Sequence, residues 1–180
     1  MGQGVSYFTK DEQNEILEQT KLSPRYLQEV QKRYSQYDTS KSKDETSGVT
    51  IEQVLLIPEV NQHKLAPIFA EKYGGRSGIL YPKEFVNFFA AFSSARTPSE
   101  KVELLFEILD VRKLGYLQGI EMYRYYHILL SPSLSDSQIE NVAKKALNLT
   151  GGKIDLDKFK QIVQPWEVAE KMTIVLQLTD

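Results

Sequence analysis

The chain has no cysteine in its 180 residues. That excludes disulfides, thiolate metal sites and a cysteine nucleophile, and it fits a reducing compartment. There are two histidines, His63 and His127, and neither sits in a recognisable catalytic motif. No catalytic residue is therefore assigned, and the chain is expected not to be an enzyme. Lysine and arginine form no block of the kind that tracks phosphates, and the net charge is −2, so no nucleic-acid partner is expected. Apolar runs are short. Even FVNFFAAF falls far below the ~18 residues needed to cross a bilayer, and no secretory apolar segment follows Met1. What remains is ordinary globular composition, 41% hydrophobic and 26% charged, enough for one compact domain or two packed lobes.

Within that composition one spacing recurs. An apolar helix ending at Asp110 leads into a loop with Gly115 in sixth place, Leu117 in eighth and Glu121 in twelfth. This is the framework of a twelve-residue EF-hand loop. The triplet of glycine, apolar residue and later apolar residue appears as Gly78, Leu80, Phe85, as Gly115, Leu117, Met122 and as Gly152, Ile154, Phe159, at intervals of 37 residues. A looser copy is Gly48, Val49, Val54, with its glycine one place out of step. Four such units predict an all-α fold of four EF-hand-like helix-loop-helix units in two paired lobes.

The oxygen ligands that calcium needs are largely missing from this framework. The third loop has Arg112 and Leu114 at its third and fifth positions. The second, Tyr73 to Glu84, keeps Glu84 but begins with tyrosine, and the fourth, LNLTGGKIDLDK, ends in Lys158. A shortened fourth loop fits equally well. The first is enlarged by about four residues and ends at Gln53, with Asp38, Asp44 and Glu45 as its acids. The expectation from sequence is no metal site and no calcium cofactor.

Helix starts are well marked. Thr9 with Glu12 forms a capping box that opens an extra N-terminal helix, and Ser23-Pro24, Thr97-Pro98 and Ser135 with Gln138 open later ones. Domain boundaries follow as 1–8 for an acylation segment, 9–94 for the first pair of hands with the N-terminal helix, 95–164 for the second pair, and 165–180 for a tail. The tail, WEVAEKMTIVLQL after Pro165, alternates and is predicted to be extended. MGQGVS at the start matches the N-myristoylation pattern, with Gly2 as the acylated residue. One acyl chain gives only reversible membrane contact.

The chain resembles the calcineurin B group: calcineurin B, the calcineurin B homologous proteins and the calcium- and integrin-binding proteins. The resemblance is carried by TKDEQNEILEQTKLSPRYLQEVQKRYSQY at 9–37, LLIPEV at 55–60, FFAAFSSARTPSEKVELLFEILD between the second and third hands, and AEKMTIVL near the end. It implies a myristoylated, two-lobed protein that binds an amphipathic helix of a phosphatase, an ion exchanger or a membrane-receptor tail. The group normally keeps at least two working calcium loops, from which this sequence departs. The resulting reading is a non-catalytic, calcium-independent adaptor or regulatory subunit, cytoplasmic and peripheral to a membrane. A calcium sensor or buffer and a myosin-type light chain are the alternatives, separable by ligand count and by the acyl group. The expected partner groove has Phe88, Phe89, Phe92 and Leu105 on one side and Tyr126 and Leu129 on the other. Sealing of that stripe by the N-terminal helix or by the tail fits the same pattern.

Overall fold

A computed structural model describes residues 6–38 and 48–177. Its elements are helices α1 (Lys10–Thr20), α2 (Pro24–Tyr37), α3 (Ile51–Leu55), α4 (Ala66–Gly74), α5 (Pro82–Ala91), α6 (Pro98–Leu109), α7 (Gly119–Leu130), α8 (Asp136–Leu149), α9 (Leu156–Ile162) and α10 (Pro165–Lys171). Two short strands, β1 (Val49–Thr50) and β2 (Ile79–Leu80), complete it. The fold is all-α, with four helix-loop-helix hands: α2–α3, α4–α5, α6–α7 and α8–α9. Residues cluster into two compact units, one of Met1–Arg96 with Met172–Asp180 and one of Thr97–Lys171.

Local chemistry sets where the helices begin. Capping boxes close Thr9 with Glu12, Thr50 with Gln53, Thr97 with Glu100 and Ser135 with Gln138. In each, the side-chain oxygen accepts an amide that the first helical turn leaves without a partner, at a gain of ~1 kcal/mol. The hands then pair through the apolar residue in eighth place. In the first unit β1 and β2 run antiparallel with Val49 opposite Leu80. In the second, Leu117 and Ile154 exchange both backbone hydrogen bonds at 2.7 and 3.0 Å.

The out-of-step Gly48 now has a physical reason. Gly78, Gly115 and Gly152 take positive φ of 66°, 77° and 86° to turn their loops, a conformation that suits glycine. Gly48 does another job. A Cβ there would stand 2.5 Å from Ile79 Cγ2 and 3.0 Å from the Leu80 carbonyl oxygen, so it is small to let β1 approach β2.

Each unit has its own core. In the first, α5 stacks its phenylalanines in a chain, Phe85 to Phe89 at 5.0 Å, Phe89 to Phe88 at 5.4 Å and Phe88 to Phe92 at 5.2 Å between ring centroids. Phe69 of α4 and Tyr34 of α2 extend this cluster edge-on. In the second, Phe159 of α9 meets Phe106 of α6 and Tyr125 of α7, and α10 packs on α6 with Val168 buried.

The tail differs from the sequence expectation. Residues Pro165–Lys171 are helical, not extended, because proline presets the first helical φ and the turn that follows buries Val168. Only beyond it does the two-residue alternation take over. Met172, Ile174 and Leu176 are buried and Val175 is exposed, the pattern of an extended segment with one face covered.

Candidate functional site: loops and apolar faces

The third loop is organised around its own side chains. Asp110, at the end of α6, accepts the amide of Leu114 on Oδ1 at 2.9 Å and that of Gly115 on Oδ2 at 2.7 Å. Arg112 folds back over the loop and donates Nε to Glu121 Oε1 at 2.9 Å and Nη2 to Gln118 Oε1 at 2.9 Å. Glu121 Oε2 also accepts the Gln118 amide, so the carboxylate in twelfth place both caps α7 and faces a guanidinium. The fourth loop has a similar arrangement. Lys158 Nζ donates to the Thr150 carbonyl at 3.0 Å and to that of Lys153 at 3.4 Å. In both loops a side-chain cation reaches inward to oxygens of its own loop.

Elsewhere the loops are shorter of acid. In the second, α4 runs through Tyr73 to Gly74 and a 3-10 turn, Gly75–Ser77, follows at once. Ser77 Oγ donates to the Gly74 carbonyl, which spends its hydroxyl on the turn. Asp38 ends α2, whereas Asp44 and Glu45 of the first loop lie outside the described residues. Among the described residues no group of three or more Asp, Glu, His or Cys gathers as a metal cluster.

The predicted groove residues fall in both units. Phe88, Phe89 and Phe92 belong to the first and Leu105, Tyr126 and Leu129 to the second. Phe88, Phe89, Phe92 and Leu105 are fully buried, while Tyr126 and Leu129 are half-buried. Beside the end of the phenylalanine chain lies the extended segment after α10, tied by a 2.9 Å bond from Ile174 N–H to the Phe92 carbonyl. Its outward residues Thr173, Val175 and Gln177 border an open cleft with Arg33, Tyr37 and Glu59. Arg33 and Glu59 form a 2.7 Å ion pair there. Sequence reasoning reads the alternation of this segment and leaves open whether it or the N-terminal helix seals the phenylalanine stripe.

Each histidine has a close aromatic or acidic neighbour. His63 meets the Phe92 ring edge-on at 6.0 Å, and His127 lies 3.5 Å from Asp136 on the surface of the second unit. Gly2 lies outside the described residues. Among the described residues no helix is long and apolar enough to cross a membrane.

Four helix-loop-helix hands paired through eighth-place residues and opened by a capped N-terminal helix make a specific geometry to compare. Calcineurin B of Schizosaccharomyces pombe is 25% identical over 179 residues, 97% of this chain and 98% of that protein. The chain is similar to calcineurin B along nearly its whole length. Calcineurin B of Naegleria gruberi is 24% identical over 184 residues, 98% of this chain and all of that protein. Human calcineurin B type 2 is 22% identical over 138 residues, 74% of this chain and 81% of that protein. No family model matches. These relatives are regulatory subunits and not catalytic ones.

This likeness corrects one expectation. The loop positions alone predict no calcium, but the calcineurin B relatives are calcium-binding EF-hand proteins. The ligand count at a few loop positions is outweighed by kinship along nearly the whole chain. A hand also draws on backbone carbonyls and water, which a count of acidic side chains leaves out.

Proposed function

We propose that the chain is a non-catalytic regulatory or adaptor subunit that holds an amphipathic helix of a partner protein, working in the cytoplasm at a membrane surface. By extension from the calcineurin B relatives, the partner class is a phosphatase catalytic subunit. Gly2 is the acylation site, and a single acyl chain makes the contact reversible until a membrane-bound partner adds a second anchor. The supporting observation is the extended segment after α10, which buries Ile174 and bonds its amide to the Phe92 carbonyl at the end of α5. A face that an extended segment can cover is one that a helix with anchors at i, i+3, i+4 and i+7 can also use. Phe88, Phe89 and Phe92 form the floor that such a helix meets.

The test is co-expression of the full chain with a phosphatase catalytic subunit carrying an amphipathic helix, followed by co-purification. The expected result is a stoichiometric complex of the two chains. A chain that purifies alone in the presence of that subunit overturns the reading.

A further inference from the structure

We infer that the paired tips of the third and fourth loops form a docking surface for an anionic lipid bilayer. An EF-hand loop tip is ordinarily acidic and hydrated, because its ligands are carboxylates. Here segments 111–116 and 148–153 hold no acid, the carboxylates of the two loops standing outside them at Asp110, Glu121, Asp155 and Asp157. Their charges are Arg112, Lys113 and Lys153.

The same tips expose large apolar side chains. Val111 is 65% exposed, Leu114 43% and Leu149 84%. The backbone bonds between Leu117 and Ile154 hold the two loops side by side. Lys153 Nζ, 4.5 Å above the Tyr116 ring, spans from one loop to the other. Lys113, with φ of 54°, sits on the turn itself.

Apolar tips carrying cations match the chemistry of a headgroup layer: lysines meet phosphate and carboxylate groups while leucine and valine enter the acyl boundary. A protein partner would have to supply both a negative rim and an apolar centre, which a bilayer with anionic lipid offers everywhere. Arg112 already pairs with Glu121 at 2.7 Å, so Lys113 and Lys153 carry the electrostatic part. This inference deepens the membrane reading above and supplies a second anchor within the chain, independent of Gly2.

The experiment uses the full chain made in a bacterial host without an acyltransferase, so that no acyl group contributes. Co-sedimentation is measured in a chelating buffer near physiological salt, with vesicles of phosphatidylcholine alone or with a third phosphatidylserine. The expected result is binding to the anionic vesicles only. Lys113→Gln with Lys153→Gln lowers it about 25-fold, at roughly fivefold per lysine, and Val111→Ser with Leu149→Ser lowers it at least about tenfold. All four side chains are exposed, and circular dichroism checks the fold. If a double variant loses helix, each single lysine variant is read instead against the fivefold figure. Equal binding to both vesicle types, or unchanged binding in either pair of variants, overturns the inference. Should the acylated chain alone bind, the lipid surface falls while the role of Gly2 stands.

Discussion

If Ile174 were changed to Asp, the outcome would separate a removable cover from a permanent part of the core. Met172, Ile174 and Leu176 are buried in the first unit, a gain of ~1.5–3 kcal/mol each, or roughly 5–9 kcal/mol together. Fixing the six residues 172–177 costs about 1–2 kcal/mol apiece, or roughly 6–12 kcal/mol. With about 1 kcal/mol for the bond from Ile174 to Phe92, the two sides nearly cancel. A segment so weakly held leaves its site when one contact is spoiled, and the loss stops at its small net contribution. The expectation is that Ile174→Asp and a chain ending at Lys171 lose the same stability, ~1–2 kcal/mol by urea unfolding, with a fall in Tm of roughly 2–4 °C per kcal/mol. Binding of a labelled amphipathic helix, followed by fluorescence anisotropy, should tighten about 5–30-fold in both, because the closed state no longer competes. A loss of more than about 4 kcal/mol for Ile174→Asp would mark a carboxylate trapped in a core that cannot open. That result, or truncation without a gain in affinity, would refute the reasoning.

Replacing Arg112 with Asp removes a cation from the third loop and adds a carboxylate at a ligand position, so its calcium affinity should rise at least about tenfold over the parent by calorimetry; an unchanged isotherm refutes the placement of Arg112 inside the loop. Burial pushes the phenols of Tyr26, Tyr34 and Tyr125 well above their usual range, with nearby Glu59 adding to it at Tyr26. The folded state then holds protons that the unfolded state releases from about pH 10 upward, so stability is complete below that pH and falls as pH rises beyond it. Phenolate absorbance followed with unfolding should show these tyrosines ionising as the chain opens, and ionisation in the intact fold near pH 10 counts against their burial. Gly2→Ala should move the protein to the soluble fraction of its native host, whereas an intact mass without an acyl increment rules the lipid out.

How much of this was legible depended on whether the cause was local. Helix starts at Thr9, Thr97 and Ser135 could be read because a capping box needs only residues three apart. The pairing of the hands could be read from Leu80, Leu117 and Ile154, since the eighth place repeats with the glycines. Gly48 looked irregular because close approach to Ile79 is a tertiary fact. The directions of Arg112 and Lys158 were hidden for another reason: a long side chain can point into its loop or into water with the same sequence spacing. α10 was missed because alternation over a few residues does not distinguish a single helical turn from a strand. The burial of Phe88, Phe89 and Phe92 was undecided for the same kind of reason, as an apolar stripe says that a face is covered and not by what. Calcium was misjudged by weighing ligand positions over the likeness of the entire chain.

The first unit is completed by residues that follow the second unit in the sequence, since Met172–Asp180 cluster with Met1–Arg96. On a ribosome this fixes an order of events. Roughly 75 residues of the second unit are made between Arg96 and the arrival of Met172, which at about 5–20 residues per second takes on the order of 4–15 s. The face beside Phe92 is therefore bare in the nascent chain, at the stage when a partner helix synthesised nearby meets no competitor. A chain translated alongside its partner would load before residues 172–177 could close over the site, and one translated alone would close first and bind later at the slower rate set by reopening.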